Sequence, residues 1–300
     1  MNNLLKTLNK ASSSLTILNK KYPTSGKTNV TPNIINHVGL NLHNNKNSPI
    51  YTIRELIENS FDSASYRKFD KYNTFEPVVT VKKNFDDLGF PANHVGRSKS
   101  DTYYVNNTHL LRTHTSAHEV ECFEALANCN DHQDPTKSSL VNGHGYLISA
   151  DVYRRDEIDK THYPVFHQME GTKTWTRLNS ETESVMLEEI GTMDKLMKAN
   201  FPSLSVEDVD YVHDDSTHEN SKQKYMTNEE TSLVVKHMKK SLELAVATLL
   251  KHRYDHDALK DKSFKNPEIK MRWIEAYFPW TKPSFELEIY YNNEIWKQHT

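Results

Sequence analysis

The chain has 300 residues, with 37 Lys or Arg against 40 Asp or Glu and a formal net charge of −3 at pH 7. That near-neutral balance excludes a global nucleic-acid footprint, so any RNA contact must come from a local basic patch. No apolar run reaches membrane length, so no transmembrane helix is expected, and the length suits one large domain or two small ones. The two cysteines, Cys122 and Cys129, are too few for a disulfide scaffold and point to a reducing or indifferent compartment.

Residues 1–30 carry Lys6, Lys10, Lys20, Lys21 and Lys27 among Leu4, Leu5, Leu8, Leu15 and Leu18, and no acidic residue precedes Glu55. A basic, serine-bearing, acid-free leader with helical leucine spacing has the pattern of a mitochondrial transit peptide. It lacks arginine, and a disordered asparagine-rich tail fits the same composition. Ser48-Pro49 reads as a helix cap followed by proline at the first helical position, and Ile50, Ile53, Ile57 and Phe61 then form one apolar stripe. Pro77 to Val81 and Asp101 to Val105 are expected strands, with the polar, weakly basic loop Asn93 to Lys99 between them.

Thr113-His-Thr-Ser-Ala-His-Glu119 opens a helix whose expected core face is Val120, Phe123 and Ala127. Ser116 and Glu119 have the spacing of a capping box. A helix start also presents free N–H groups to a carboxylate. His114 and His118 are spaced like a zinc pair, with Cys122, Cys129 or His132 as a third ligand. The order HTSAHE does not place a glutamate as HEXXH does, however, and no metal site is assigned.

Residues 130–144 read as a polar surface insertion. A helix is expected from Glu183 to Lys198, then an acidic stretch from Glu207 to Asp215. Thr227 and Glu230 form a second capping box before a long helix, with Val234, Met238, Leu242, Ala245 and Leu249 inward. Ile269 to Phe278 and Ser284 to Tyr291 are expected strands. On the second, Glu286 and Glu288 share a face, which suits either Mg²⁺ or solvent.

The central feature is a hairpin, Tyr146 to Tyr153 and Val165 to about Trp175, joined by a polar loop. Alternation places Phe166, Gln168 and Glu170 on one face, and groups Ala150, Val152 and Arg154 on the other strand. A ring, an amide and a carboxylate make a poor core but a good ligand-reading surface. Arg154, with its planar charged fork, suits a phosphate oxygen. An Arg–Glu cross-strand ion pair on a solvated face fits the hairpin as well.

The run DVYRRDEIDKTHYPVFHQMEG, Asp151 to Gly171, resembles motif 2 of the class II aminoacyl-tRNA synthetases in the form found in phenylalanine–tRNA ligases, most closely their single-chain mitochondrial branch. PVVTVKKNFDDLGFPANHVGRSKSDTYYVN, HLLRTHTSAHE and RWIEAYFPWTKPSFELE support it in the same order, and the similarity runs from roughly Phe75 to Glu288. The resemblance implies an α+β fold, an antiparallel sheet flanked by helices, with residues 31–300 as part of a class II catalytic domain. It also implies ATP-dependent activation of phenylalanine, with Mg²⁺, and transfer to tRNA(Phe) by a monomer in the mitochondrial matrix.

The implied roles follow position by position. Arg154 is the catalytic contact to the ATP α-phosphate, His162 reaches the distal phosphates, and Phe166 stacks on adenine. His114, Ser116, Gln168 and Glu170 hold the amino and carboxylate groups of phenylalanine, whose ring lies against Phe278 and Trp280. The loop Asn93 to Lys99 lies near the site mouth. Glu119 stands where relatives often have glutamine, and Lys282 where many bacterial relatives have glutamate. After Asn292-Asn293-Glu294 the family continues into a glycine-rich motif 3, whose arginine grips ATP, and an anticodon-binding domain. Neither is found before Thr300, so an incomplete sheet and impaired turnover are expected. A non-catalytic paralogue that binds phenylalanine and adenosine is the alternative, and a zinc hydrolase built on His114, His118 and a cysteine is a third reading.

Overall fold

A computed structural model describes residues 14–66, 68–128, 143–160, 162–175, 177–208, 220–262, 268–278, 281–291 and 294–296. The chain divides into two compact units: residues 1–54, 70–131 and 146–172 form the first, and 55–69, 132–145 and 173–300 the second.

The first unit opens with a hairpin of β1 (Ser14–Ile17) and β2 (Lys20–Pro23), in the register Ile17 to Lys20. Leu18 and Asn19 turn it with φ of 46° and 66°, a two-residue turn whose positive φ values match strand twist. The Leu18 side chain lies over Gly39, where a Cβ would come within 2.7 Å of Leu18 Cδ2 and φ is +78°; only glycine fits. Ile17 is 1% exposed and packs with Ile34, Val38, Tyr103, Val105, Leu111 and Tyr153. Paired strands are therefore present from Ser14, within the stretch 1–30. The helical leucine spacing ends in an extended hairpin at Leu15 and Leu18; residues 1–13 lie outside the described residues.

Short helix α1 (Pro32–Ile35) is capped by Thr31. Helix α2 (Pro49–Ala64) begins as expected, with Ser48 Oγ accepting from Ile50 N at 3.2 Å. Its stripe is rotated, though. Ile53 is 44% exposed, whereas Arg54, Glu58 and Ser60 are buried, and Arg54 donates to Asn44 Oδ1 at 2.7 Å. Available polar partners let this helix bury a face that apolar periodicity does not mark.

Strand β3 (Asp70–Tyr72) pairs with the later hairpin, and β4 (Val78–Thr80) pairs antiparallel with β5 (His109–Leu111). The expected strand Asp101 to Val105 reduces to one bridge, Tyr104 to Leu110. Around that bridge Val105 N donates to His109 O and Tyr103 O accepts from Leu111 N, while Asn29 brackets Tyr104 through N–H and side-chain bonds of 3.0 and 2.6 Å, and Thr28 Oγ1 donates to Val105 O. The nearby cations also serve the fold, since Arg97 pairs with Asp86 at 2.8 Å and Lys99 donates to Gly26 O.

Helix α3 (Glu119–Asn128) buries Cys122 and Leu126, not the expected face; Val120 is 41% and Phe123 36% exposed. The expected capping box is absent, because Thr115 to His118 form a 3-10 turn and Ser116 turns elsewhere. Strands β6 (His144–Tyr153) and β7 (Val165–Thr174) form the expected hairpin, with Gly143 N to Thr174 O and Arg154 N to Pro164 O closing its two ends. The sheet order is β3-β6-β7. Central strand β6 is buried on both faces, so its polar residues Ser149 and Asp151 are buried along with its apolar ones.

A buried arginine ties these parts together. Arg112 donates to Asp151 O, to the Asp151 carboxylate, to Phe75 O and Glu76 O, and to His118 Nε2. Burial pushes the Asp151 carboxyl up, but Arg112 and the Tyr153 hydroxyl together hold it below its ordinary value.

The second unit contains α4 (Ser180–Asn200), β8 (Leu204–Glu207), α5 (Asn228–Lys260), β9 (Ile269–Phe278), β10 (Thr281–Tyr291) and β11 (Glu294–Trp296). The strand order is β11-β10-β9-β8, antiparallel except for β8 with β9. Asn179 caps α4, and Thr227 with Glu230 form the capping box read from sequence. Ile190, Met193, Met197, Leu244, Ala247, Met271, Trp273 and Leu287 make the core. Within α5, Ala245 is buried as expected, but Met238 and Leu242 are exposed while His237, Lys239 and Glu243 are buried. Each buried polar group has a partner: His237 meets Glu189 at 2.6 Å, Lys239 pairs with Asp208, and Glu243 accepts from Trp273 Nε1 at 2.9 Å.

Glu288 faces Arg272 in register and bonds to it, so the Glu286/Glu288 face is not an open carboxylate pair for a metal. Glu207 ends β8, while most of the expected acidic stretch and of the 130–144 insertion lies outside the described residues. Among the described residues no helix is long and apolar enough to cross a membrane.

Replacing Arg112 by methionine leaves Asp151 buried without its countercharge and is expected to cost about 3–5 kcal/mol. Ile17→Ala is expected to cost about 2–5 kcal/mol by opening the hairpin's core contact. Both are read as lower urea midpoints; an unchanged midpoint for Ile17→Ala would contradict the placement of β1 in the core.

Candidate active site

The site is built outward from the segment that follows Arg112. Asn84, in a single π-helical turn at Lys82–Asp86, grips Thr113 twice: its Nδ2 donates to Thr113 Oγ1 at 2.8 Å and its Oδ1 accepts from Thr113 N at 3.0 Å. With Thr113 clamped, His114 is fully extended, and the 3-10 turn then aims two hydroxyls at β7. Thr115 Oγ1 and Ser116 Oγ donate to Glu170 Oε2 at 3.0 and 2.6 Å, and Thr115 N donates to Gln168 Oε1 at 3.3 Å. The Ser116 hydroxyl thus serves the carboxylate and not a helix cap.

Glu170 is half-buried among neutral donors. Burial raises its pKa and the two hydroxyls partly offset that. Such a carboxylate is incompletely compensated and favours a cation. Gln168, with its oxygen occupied, offers its amide NH₂ on the same face. His114 stacks on Phe90 with centroids 5.5 Å apart and planes within 3°, with Phe85 edge-on at 6.4 Å. Burial, then the Arg154 charge, hold its pKa near 4, so the ring is neutral at pH 7.

At the end of β6, Arg154 Nε donates to Thr113 O at 2.9 Å, and its guanidinium carbon lies 5.2 Å from the Phe166 ring centre. This anchoring leaves the outer Nη donors for an anion, beside an aromatic face. Arg154 and Glu170 engage different partners, so the cross-strand ion-pair reading gives way to two neighbouring sites of opposite charge. Arg154, Phe166, Gln168, Glu170, His114 and Ser116 are thus gathered in the first unit. His162 lies in the β6–β7 loop, half-exposed, with Nδ1 2.9 Å from Asp159 Oδ2. Phe278 belongs to the second unit, at the end of β9, and Trp280 lies outside the described residues.

The zinc reading does not fit His118. Both its ring nitrogens are engaged, by Arg112 and by Glu121, and the ring stacks on Phe75 at 4.1 Å. Burial pushes the Cys122 thiol up to about 12, away from the thiolate a metal requires. Among the described residues no three candidate ligands gather. Sequence reasoning missed Thr115 and the Asn84–Thr113 clamp; the unbroken polar run after β5, Arg112 to Ser116, was their only local sign.

The family model "tRNA synthetases class II core domain (F)" matches residues 35–202. The mitochondrial phenylalanine–tRNA ligase of Saccharomyces cerevisiae is 47% identical over 283 residues, covering 91% of this chain and 57% of that protein. Those of Dictyostelium discoideum and Mus musculus are 35% and 32% identical, over 92% and 93% of this chain but 48% and 52% of theirs. The chain thus spans about half the length of the curated relatives it matches. With the class II core match covering more than half of its residues, the chain belongs to the class II tRNA synthetase core family, F type.

Proposed function

We propose that this chain carries the amino-acid-activating site of a mitochondrial phenylalanine–tRNA ligase, which joins phenylalanine to ATP and passes the aminoacyl group to tRNA(Phe). The observation that carries the reading is the adjacency of an anionic pocket, Glu170 with Thr115, Ser116 and Gln168, to the cationic, aromatic corner of Arg154 and Phe166. An amino acid has an ammonium group for the first. Adenosine triphosphate has an α-phosphate and a base for the second.

In activation a carboxylate oxygen of phenylalanine attacks the α-phosphorus of ATP and pyrophosphate departs. Little proton transfer is needed, so the catalytic work is positioning and charge stabilisation. Arg154 neutralises charge at the α-phosphate, Phe166 stacks on adenine, and His162 meets the distal phosphates. Gln168, Glu170, neutral His114 and Ser116 orient the amino acid, and Phe278 with Trp280 supply the ring contacts. Mg²⁺ accompanies the ATP phosphates; the bound state of Glu288 gives no support for a protein carboxylate site for it on β10, and no step is assigned to the ion. The protein acts as a monomer in the matrix, directed there by the basic leader read in residues 1–30.

Calorimetric titration with a non-hydrolysable phenylalanyl-adenylate analogue tests this reading. Saturable binding is expected. Glu170→Gln should weaken it by about 1.5–3 kcal/mol, the range for a hydrogen bond to a charged group. Phe166→Ala should weaken it by about 1–3 kcal/mol, the value of one base stacked on an aromatic ring. An unchanged affinity in Glu170→Gln would remove the amino-group assignment, and no binding by the unmodified chain would remove the whole reading.

A further inference from the structure

We propose that Asn84 is a positioning residue shared by both halves of the site: by gripping Thr113 it sets the anchor of Arg154 and the turn that carries Thr115 and Ser116 before either ligand arrives. This rests on the two-ligand reading given above, ATP at Arg154 and phenylalanine at Glu170, and adds to it a fully buried residue and a coupling.

All three polar groups of Thr113 are used. Its N–H donates to Asn84 Oδ1 at 3.0 Å, its hydroxyl accepts from Asn84 Nδ2 at 2.8 Å, and its carbonyl accepts from Arg154 Nε at 2.9 Å. A backbone N–H can only donate, so the Asn84 amide has one possible orientation. Asn84 is 0% exposed and sits in the Lys82–Asp86 turn, whose next residue, Phe85, packs with Val79, Tyr104, Leu110 and Ala117. The grip therefore comes from the packed core of the first unit and not from a surface loop.

Before Thr113 the chain is tied down by Arg112, whose N donates to Pro77 O at 3.0 Å and whose O accepts from Tyr153 N at 2.9 Å. After it the long-range polar holds are those of the site itself: Thr115 and Ser116 to Glu170, and Thr115 N to Gln168. Without Asn84 the segment from Thr113 to Ser116 would depend on the very groups that the ligands engage.

A segment shared by two pockets leaves a quantitative signature. When it is ordered only a fraction of the time, each ligand alone has its affinity reduced by that fraction, and the first ligand to bind returns full affinity to the second. The ordering cost is met once and not twice, and linkage makes the factor the same in both directions. Separate damage to each pocket would instead give two losses that persist whichever ligand is already present.

The test uses the full chain and calorimetric titration of two probes, phenylalanine and an ATP analogue with a methylene bridge between its α- and β-phosphorus, each alone and with the other saturating. Asn84→Leu has a similar shape but makes neither bond. Both single-ligand affinities should fall by the same factor, about tenfold for two lost hydrogen bonds. Saturation with either probe should then return the other to the affinity that the unmodified chain shows under the same condition. Thr113→Val, which loses only the hydroxyl bond, should show smaller but equal losses, and Thr113→Ser should lose less than Thr113→Val; this pair carries the test if Asn84→Leu has no folded baseline in urea. Unchanged affinities, a loss for one probe alone, or losses that persist with the second probe saturating would overturn the role of Asn84 while leaving the two-ligand reading intact. A merely structural Asn84 would lower the urea midpoint without the mutual restoration, and binding of neither probe by the unmodified chain would overturn both readings.

Discussion

The first unit depends on one buried cation. The Arg112 guanidinium reaches the β6 backbone and the Asp151 carboxylate, the carbonyls of Phe75 and Glu76, and the His118 ring. A charge so deeply withdrawn from water is tolerable only because nearly all its donors are used. Those bonds fix the approach of three chain segments, and the residue after Arg112 starts the turn that reaches Glu170. The placement of Ser116 against Glu170 is thus inherited from a side chain buried outside that pocket.

The pocket itself works by contrast of charge over a short distance. Arg154 is anchored by one nitrogen to Thr113 O, while Glu170 is held by hydroxyls from Thr115 and Ser116. A single short segment, Thr113 to Ser116, therefore holds a cation with its carbonyl and a carboxylate with its side chains. Had the two charges met directly, they would have neutralised each other and left nothing for a zwitterion or a phosphate. Keeping His114 neutral adds polarity without adding charge.

Buried polar groups recur in the second unit under the same rule. Glu189 accepts from Lys173, His237 and Tyr66 N, and Glu243 from Trp273 and Lys240. Long helices α4 and α5 thereby pack through ion-paired networks as well as through methionine and leucine. This is why helical periodicity alone misjudged α5: Met238 lies outward while His237 and Glu243 lie inward.

Sequence by itself determined the elements whose causes are local. The Ser48-Pro49 start, the Thr227–Glu230 capping box, the β9 strand and the β6–β7 hairpin follow from caps, alternation and turn residues. Alternation also put Phe166, Gln168 and Glu170 on one face, and motif spacing was specific enough to name the family. What tertiary structure decided was which polar groups find partners. The Asn84–Thr113 clamp spans 29 residues, the Ser116–Glu170 bond 54, and the Arg112–Asp151 pair 39. No local pattern encodes contacts of that separation. So the capping role read for Ser116, the strand read at Asp101 to Val105 and the apolar face read for α3 gave way once distant hydrogen-bond partners and neighbouring surfaces were supplied.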